Sequence, residues 1–411
     1  MNRPLSHCHD LLFPIADNCL QIGGMPLTQL AERVGSTPFY AYDRRLISER
    51  VARLRAALPA ELRLHYAIKA NPMPAVVQHL AGLVDGFDVA SAGELRLALK
   101  TAMPPQQVSF AGPGKSDREL REAVAAGIVV SLESEHQLER LALAGAAQEV
   151  RPKAMVRVNP DFQLRASGMT MGGGPSQFGV DAERVPALLA RMRELPVEFY
   201  GLHIYAGSQN LRAEFLSEAQ RSTLALAQRL AACAPGPVRL LNLGGGFGIP
   251  YFPGEQPLDL EAVGRHLASL MPAARRDFPE AELALELGRY LVGEAGIYVC
   301  RVLERKRSRG QLFLVTDGGL HHHLAASGNF GQVIRKNYPV IVGNRVLPAG
   351  EPELASVVGP LCTPLDVLAD KMALGHAREG DLIVVLQSGA YGLSASPTAF
   401  LSHPAPAEVL V

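Results

Sequence analysis

Short β-type runs alternate with helical segments eight times between Leu62 and Glu286, and this alternation constrains the fold more than any other feature. The segments between the runs, such as QLERLALAGAA and RVPALLARMREL, carry apolar residues at helical spacing and are long enough to cross back over a sheet. Repeats of this kind form right-handed units with parallel strands. Eight of them predict a closed (β/α)8 TIM-like barrel, an α/β fold, with strands at Leu62–Ile68, Leu83–Ala90, Val108–Ala111, Gly127–Leu132, Lys153–Val158, Phe199–Ile204, Val238–Leu243 and Glu282–Glu286.

The pattern changes after Tyr290, where β-type runs are separated by Gly, Pro and Asn with few helical stretches. This pattern predicts a second, mostly β-barrel domain. The segment before Thr37 is not needed for the eight repeats, and Leu20–Met25 is a candidate strand for the second domain. We therefore predict a barrel domain at 37–289 and a β domain built from 1–36 and 290–411.

Charge and cysteine content exclude several classes of protein. Lys and Arg together number 40, as do Asp and Glu, so no charge excess favours nucleic acid or a membrane surface. No apolar run reaches the roughly 20 residues that a membrane-spanning helix needs. The 5 cysteines are odd in number and lack C-x-x-C spacing, which argues against a disulfide framework and a zinc site. We expect a cytoplasmic protein with a small-molecule substrate.

Candidate reactive groups follow the predicted strands, because a β/α barrel places its site where the strands end. Lys69 follows the first strand, where desolvation by apolar neighbours would favour a nucleophilic free amine; a surface lysine is the alternative. The seventh strand ends in Gly244–Gly248, whose backbone amides can approach a phosphate, although glycines also simply end strands. The sixth ends in Gly207-Ser208, which can add a hydroxyl and an amide to the same phosphate.

The eighth strand ends in Glu286-Leu287-Gly288-Arg289, which places a carboxylate near the barrel axis. A structural ion pair is the alternative role for that carboxylate. An amine, a phosphate cradle and a buried carboxylate around one barrel mouth match the needs of pyridoxal phosphate. These needs are a Schiff-base amine, phosphate donors and an acid that holds the pyridine nitrogen protonated.

Nine motifs in order carry a resemblance to a known family. The chain from Thr37 to Val411 resembles the fold-type III pyridoxal phosphate decarboxylases, which include diaminopimelate, ornithine and arginine decarboxylases and have an alanine racemase-like barrel. The matching stretches are YAIKANP (66–72), GFDVASAGEL (86–95), VRVNP (156–160), SQFGV (176–180), GLHIYAGSQ (201–209), GGGFGIPY (244–251), ELGR (286–289), VGPLCTPLD (358–366) and SGAYG (388–392).

The resemblance implies a decarboxylase that releases CO2 from a substrate joined to the cofactor as an external aldimine. It implies Lys69 as the Schiff-base lysine and Glu286 as the partner of the pyridinium nitrogen. His203 is as readily explained as a packing histidine of the barrel mouth. The remaining cofactor contacts that the resemblance implies are Asp88, His203, Tyr205, Ser208, Gly245, Gly246, Gly288, Arg289 and Tyr391.

The family also implies a homodimer in which Cys362 of one chain reaches the barrel of the other and protonates the α carbon. Taken alone, a single cysteine after Gly359-Pro360 is more typical of a buried structural thiol. Asp366 matches an acidic position of the family that orients substrate or a loop. The substrate contacts implied are Arg289, His322, Thr363, Asp366 and Tyr391.

Three departures from diaminopimelate decarboxylases bear on the substrate. Tyr205 stands where those enzymes stack a histidine on the cofactor ring, and Thr363 stands where a glutamate contacts the distal amine. The segment Leu320–Ala326 has no arginine to hold a distal carboxylate, although Arg335 is a candidate replacement. A site without both distal contacts loses much of its discrimination for a free diamino diacid. We therefore expect an amino acid or amino-acid conjugate, including one tethered to a carrier protein, with diaminopimelate decarboxylation to L-lysine as the alternative.

The pattern HHHLAASGNFGQ resembles decarboxylases of siderophore intermediates, of carrier-tethered amino acids and of exosortase systems. Adjacent histidines in a strand would point to opposite faces, so we expect no metal. The alternatives are a racemase and a non-catalytic protein of this fold class. A racemase of this fold class places an arginine where this chain has Glu286 and lacks the Cys362 segment, and non-catalytic relatives lose the lysine or the second domain.

Overall fold

The computed structural model describes residues 12–411 except 166–168, 171, 333 and 348–349. The chain divides into two compact units. The barrel unit comprises Arg50–Ile249 and Leu258–Tyr290, and the β unit comprises the described part of Met1–Glu49 with Pro250–Pro257 and Leu291–Val411. The first 11 residues of the predicted N-terminal segment lie outside the described residues.

The barrel unit contains a ring of eight parallel strands, each lying within or close to one of the eight predicted runs. Consecutive strands pair in parallel, the fourth pairs with the fifth through Val129 and Lys153, and the eighth closes on the first through Glu286 and His65. The predicted closed barrel is thus confirmed. Its strands are Arg63–Ala67, Gly86–Val89, Val108–Phe110, Val129–Leu132, Lys153–Asn159, Glu198–Ile204, Leu240–Gly245 and Glu282–Leu287.

Serine caps fix where three of the barrel helices begin. The side chains of Ser91, Ser116 and Ser134 each accept a hydrogen bond from the backbone amide three residues later, which satisfies one of the free donors of a helix start. These three helices therefore start three to seven residues after the preceding strands end. The helices of this unit are Pro74–Ala81, Ala92–Ala98, Asp117–Ala126, Glu135–Ala146, Val185–Met192, Ala213–Ala231, Leu260–Asp277 and the single turn Arg289–Val292, while Arg44–Ala57 precedes the first barrel strand.

Side chains inside the barrel form an apolar layer and a polar layer. Val129, Met155, Leu240 and Ala284 form a buried apolar cluster from four strands. On three of the same strands the buried Ser131, Arg157 and Glu286 lie further toward the carboxyl end. This order follows the usual division of a barrel into a stabilising base and a reactive mouth.

The β unit is built on an eight-stranded sheet, which agrees with the predicted mostly β domain. Four strands in it were absent from the sequence prediction, namely Phe39–Tyr42, Glu353–Val358, Val367–Leu374 and Ala407–Leu410. Leu20–Met25 does not join this sheet, because Ile15–Ala16, Cys19–Ile22 and Met25–Pro26 form a separate three-stranded sheet. The eight strands are Phe39–Tyr42, Gly296–Ser308, Gln311–Thr316, Val340–Val342, Glu353–Val358, Val367–Leu374, Leu382–Val385 and Ala407–Leu410.

The N-terminal boundary between the units lies later than Thr37. Phe39–Tyr42 pairs with Gly296–Ser308 on one side and with Ala407–Leu410 on the other, so it is a strand of the β unit. The barrel unit begins at Arg50. A short segment, Pro250–Pro257, also belongs to the β unit. Among the described helices, none is long and apolar enough to cross a membrane.

Candidate active site

Lys69 lies at the mouth of the barrel, in a single 3-10 turn that follows the first strand. Its Nζ is 3.5 Å from Glu286 Oε1 and 5.7 Å from the ring centroid of Tyr205. The side chain is 44% exposed, so the expected desolvated environment is not what the structure has. The amine instead lies between a carboxylate and an aromatic ring, where both neighbours attract a cation.

Glu286 is the buried carboxylate of the site, with a side chain only 5% exposed. Its second oxygen, Oε2, lies 3.2 Å from His203 Nε2. Burial alone would raise the pKa of Glu286, but the nearby Lys69 ammonium and the His203 ring outweigh it and hold that pKa well below its usual range. The carboxylate is therefore ionised across the range in which enzymes work.

His203 connects Glu286 to the fourth strand. Its Nδ1 lies 3.1 Å from the hydroxyl of Ser131, and both side chains are almost completely buried. His203 is therefore more than a packing residue of the barrel mouth, because each ring nitrogen faces a polar atom.

Asp88 lies inside the barrel on the second strand, beside His65. The hydroxyl of Ser109 donates to Asp88 Oδ1, and Oδ2 is 3.6 Å from His65 Nδ1. Burial lowers the pKa of His65, but the carboxylates of Asp88 and Glu286 outweigh it, so the pKa of His65 is raised. A second histidine–carboxylate pair thus adjoins the first.

The glycine-rich turn after the seventh strand is bound to the Ser208 segment through backbone hydrogen bonds. Asn210 N donates to Gly246 O over 2.8 Å, and Gly248 N donates to Asn210 O over the same distance. Gly246 has φ +82°, and a Cβ there would lie 2.6 Å from the carbonyl oxygen of Gly207. Both constraints require glycine, and they bring bare backbone close to the hydroxyl of Ser208.

Residues after the eighth strand complete this side of the mouth. A Cβ on Gly288 would lie 2.9 Å from the Cβ of Ala70, so glycine lets the eighth strand approach the turn that carries Lys69. Arg289 begins the single helical turn Arg289–Val292 and is half-buried. Gly245 likewise has no room for a Cβ, which would collide with the carbonyl oxygen of Glu286.

Cys362 lies in the β unit, in the loop between Glu353–Val358 and Val367–Leu374. It is a free and exposed thiol, in contrast to the buried structural cysteine that its type alone favours. Asp366 closes this loop: its Oδ2 accepts from Leu361 N over 2.8 Å, and its Oδ1 accepts from Leu320 N over 2.6 Å. Of the two roles expected for Asp366, these contacts fit orientation of a loop.

Thr363, Tyr391 and Arg335 also lie in the β unit. The Thr363 hydroxyl accepts a hydrogen bond from Leu365 N over 3.3 Å within the same loop. Tyr391 is half-buried and has φ +53°, a conformation that side chains seldom adopt. Arg335 donates through Nη2 to the carbonyl oxygen of Val367, so this nitrogen is engaged with the protein itself.

The histidine run His321–His323 forms a buried turn, and the expected strand is absent there. His322 lies 3.2 Å from the Tyr298 hydroxyl through Nδ1 and 3.0 Å from Pro404 O through Nε2, so both of its ring nitrogens are engaged. Burial lowers the pKa of His321 and His322 to about 4 and that of His323 to about 3. Within the described residues, no cluster of three or more His, Cys, Asp or Glu side chains is arranged to hold a metal ion.

Comparison with known proteins decides the family. A family model described as "Pyridoxal-dependent decarboxylase, pyridoxal binding domain" matches residues 44–293. The chain belongs to the pyridoxal-dependent decarboxylases. Its cofactor is pyridoxal phosphate, and its reaction is the decarboxylation of an amino acid or amino-acid conjugate.

Two curated relatives and one solved structure illustrate the range of this decarboxylase family. The "L-glutamyl-[BtrI acyl-carrier protein] decarboxylase" of Niallia circulans is 38% identical over 393 residues, covering 93% of this chain and 90% of that protein. The "2-[(L-alanin-3-ylcarbamoyl)methyl]-2-hydroxybutanedioate decarboxylase" of Staphylococcus aureus is 29% identical over 374 residues, covering 89% and 92%. The diaminopimelate decarboxylase of M. jannaschii in complex with L-lysine superposes with a TM-score of 0.88 at 25% identity, covering 97% of this chain and 92% of that chain.

The barrel mouth of this decarboxylase fits its cofactor. Ser208 Oγ is buried and has no hydrogen-bond partner among the described residues, and it lies next to a glycine turn that a Cβ would fill. A buried hydroxyl without a partner costs free energy unless a ligand satisfies it. With the amine of Lys69 and the ionised Glu286, the donor set matches a phosphate, an aldehyde and a pyridine nitrogen.

Sequence reasoning missed a second buried charge network in the same barrel. Arg157 Nη1 donates to Glu133 Oε1 over 2.9 Å, and Lys115 Nζ donates to the carbonyl oxygens of Gly112 and Ser131 over 2.6 and 2.8 Å. A positional signal existed, because Lys115 and Glu133 come shortly after the third and fourth strands. Their charges are otherwise indistinguishable from those of surface residues in a single sequence.

Proposed function

We propose that this decarboxylase acts on an amino acid whose distal end is joined to a larger group, such as a carrier-tethered or otherwise conjugated amino acid. The observation that carries the proposal is the segment Leu320–Ala326. It contains no lysine or arginine, and its three histidines are buried with a pKa well below neutrality, so it offers no cation to a distal carboxylate. Thr363 likewise offers no charge to a distal amine.

The two relatives above support this substrate class by name. One is described as acting on glutamate carried by an acyl-carrier protein and the other on a compound in which an alanine unit is joined through a carbamoylmethyl link. In both, the end of the amino acid that would meet a distal contact is covalently occupied. A pocket without charged distal contacts suits such substrates, because burying an unpaired charge is costly while burying an amide is cheaper.

In this proposal the barrel residues divide the work of holding the cofactor. Pyridoxal phosphate supplies the aldehyde for the substrate amine and the electron sink that takes up the electrons of the departing carboxylate. Lys69 supplies the amine that binds the aldehyde, and Glu286 holds the proton of the pyridine nitrogen. Tyr205 provides an aromatic face for the ring. Ser208, Gly245, Gly246 and Arg289 would hold the phosphate, and Asp88, His203 and Gly288 would line the ring pocket.

We also propose that the enzyme works as a homodimer in which Cys362 of the partner donates the proton to the α carbon. Cys362 is exposed, as is the apolar side chain of Leu365 in the same loop, which a second copy would cover. Asn329 Nδ2 donates to Leu365 O, which brings this loop next to the chain that carries the exposed Phe330. The exposure of this thiol supports a role toward a neighbouring chain.

Mixing two inactive variants tests the shared site. Lys69→Ala and Cys362→Ala should each abolish turnover, but co-refolded mixtures should recover about a quarter of wild-type activity, since one site of each mixed dimer is intact. Mixtures of Lys69→Ala with Lys69→Ala, Cys362→Ala provide the control and should stay inactive. A mixture of the two single variants without recovery would contradict the shared site.

The substrate class is tested by CO2 release from purified, cofactor-loaded protein. The panel is meso-diaminopimelate, lysine, ornithine, arginine and glutamate, beside glutamate on a carrier protein and a citryl-conjugated amino acid, with Lys69→Ala as the inactive control. We expect kcat/KM for a conjugate to exceed that for every free amino acid by about 100-fold or more. Preferred turnover of meso-diaminopimelate would establish the alternative, and racemisation without CO2 would contradict the reaction itself.

A further inference from the structure

We propose that Ser131 is a positioning residue that fixes the tautomer of His203 and, through it, the charge of Glu286. The three side chains come from the fourth, sixth and eighth strands of the barrel. Alternate strands of such a barrel contribute side chains to one common layer, so the three groups share a level in the interior. This inference rests on the proposed role of Glu286 toward the pyridine nitrogen.

The proton positions follow from the available partners. Ser131 Oγ lies 3.1 Å from His203 Nδ1, and no other hydrogen-bond partner of that hydroxyl occurs in the described part of the chain. A buried hydroxyl proton without an acceptor is unfavourable. Ser131 therefore donates to Nδ1, and the ring carries its own proton on Nε2.

The proton on Nε2 faces Glu286. His203 Nε2 and Glu286 Oε2 are 3.2 Å apart, both are buried, and neither has a hydrogen-bond partner elsewhere among the described residues. The opposite tautomer would bring a ring lone pair against the carboxylate and leave the hydroxyl of Ser131 without an acceptor. Only the tautomer with Nε2–H places complementary charges at both contacts.

Ser131 is itself held in place from its backbone. Lys115 Nζ donates to the carbonyl oxygen of Ser131 over 2.8 Å and to that of Gly112 over 2.6 Å. Ser131 has no exposed surface, so its hydroxyl has little freedom to turn to another partner. The polar network below the mouth thus supports the orientation of His203.

Glu286 depends more on His203 once Lys69 is joined to the cofactor. Lys69 then no longer presents an ammonium to Glu286 Oε1, and His203 Nε2–H remains as the donor at Oε2. A carboxylate that keeps a donor stays ionised and keeps the pyridine nitrogen protonated. Ser131 would thus act on the reaction without touching cofactor or substrate.

The first test uses the cofactor-free protein and ¹⁵N-histidine NMR. The His203 signal is identified by its loss in His203→Gln, and we expect the Nε2–H tautomer in wild-type protein. Ser131→Ala should lose this preference, and Ser131→Thr, which keeps the hydroxyl, should retain it. Ser109→Ala is the matched control, because it removes a buried barrel serine that donates to Asp88. An Nδ1–H tautomer in wild-type protein would overturn the proposal even if the Ser131 variants failed to fold.

The second test uses the holoenzyme loaded with ¹⁵N-labelled cofactor. We expect the pyridine nitrogen of Ser131→Ala to shift toward its unprotonated form and kcat to fall about tenfold with little change in KM. In a His203→Gln background, whose amide donates to Glu286 without help from Ser131, adding Ser131→Ala should have no further effect. An unprotonated pyridine nitrogen in wild-type enzyme would refute the role of Glu286, whereas an unchanged tautomer in Ser131→Ala would refute only that of Ser131.

Discussion

Lys115 is a buried charge of the barrel, with 2% of its surface exposed. Its ammonium is satisfied by two carbonyl oxygens and by Gln137 Oε1 at 3.4 Å. Burial lowers its pKa to about 8, although Glu133 acts in the opposite direction. Lys115 therefore loses its proton only slightly above neutral pH. Its contact with Ser131 O also helps to hold the fourth strand in place.

Lys115 should therefore make stability depend on pH in the alkaline range. The unfolded chain keeps the ordinary lysine pKa of 10.5, so between about pH 8 and 10.5 the unfolded state binds more protons than the folded one. The free energy of unfolding then rises with pH, by about 2 kcal/mol between about pH 8 and about pH 10. Urea unfolding of Lys115→Met at both pH values should lack this increment relative to wild type.

Lys153→Met is the matched control. Lys153 is half-exposed and begins the fifth barrel strand, so this variant removes a lysine without removing a buried charge. It should keep the wild-type pH dependence. An equal pH slope in wild type and Lys115→Met would show that Lys115 is protonated in the folded state throughout this range.

At this scale the sequence located residues better than it located their environments. Lys69 and Glu286 were found because each directly follows or ends a strand, which is a local property. The groups that support His203 behind Glu286 were not found, because Ser131 lies on a strand, and Lys115 in a loop, that are distant in sequence from both residues. The exposure of Lys69 was also mispredicted. Its apolar sequence neighbours face away into the core, whereas its own side chain lies at the open mouth.

Among the elements, the glycine turn after the seventh strand has little freedom to vary. Gly246 combines positive φ with a close carbonyl oxygen, so both its backbone conformation and its missing Cβ are required. The backbone N–H and C=O of Asn210, two residues after Ser208, both form hydrogen bonds with this turn. Displacing one residue of the turn would therefore move the whole cradle.

Gly246→Ala should weaken cofactor binding at least tenfold. An alanine with this positive φ costs about 1–2 kcal/mol of conformational free energy. Its Cβ would also collide with Gly207 O, and the backbone around the phosphate must shift to relieve that collision. The dissociation constant is measured from the absorbance of added cofactor. Gly236→Ala is the control, because Gly236 has open space around its Cβ position and should bind the cofactor as wild type does. Equal affinity of the two variants would exclude the turn as the phosphate site.

Elements of the barrel were predictable because each strand lies next to its sequence neighbour and repeats one pattern. The β unit was predictable only in class. Val367–Leu374 carries Asp370 and Lys371 within the strand, with Lys371 at φ +45°, so its apolar alternation is broken. Phe39–Tyr42 has only four residues, and its partners lie far along the chain. Neither strand can therefore be recognised from a local window of sequence.

On the scale of the whole molecule, the β unit is assembled from three separate stretches of chain. Ala407–Leu410 lies parallel to Phe39–Tyr42, with Val411 N donating to Tyr42 O over 2.8 Å and Tyr42 Oη donating to Glu408 Oε1 over 2.6 Å. Val411 O accepts from Arg44 N over 3.0 Å. The two ends of the described chain thus stabilise one another.

Removing residues 407–411 should lower the free energy of unfolding by about 3 kcal/mol, as three of these hydrogen bonds contribute about 1 kcal/mol each. Urea unfolding followed by circular dichroism measures the loss. Glu408→Gln retains the backbone pairing and should lose only a fraction of it. An unchanged midpoint in the shortened chain would mean that the strand contributes nothing to stability.

The cytoplasmic location expected from the cysteines stays a prediction.

The discontinuity of the β unit also has a consequence for synthesis on the ribosome. The eight barrel strands emerge in the order in which they pair, so the barrel can assemble as the chain elongates. Phe39–Tyr42 emerges before all of them, yet its neighbours Gly296–Ser308 and Ala407–Leu410 are among the later segments to be translated. This short apolar strand therefore stays unpaired until both neighbours have been translated, and we expect it to need protection from wrong partners during that time.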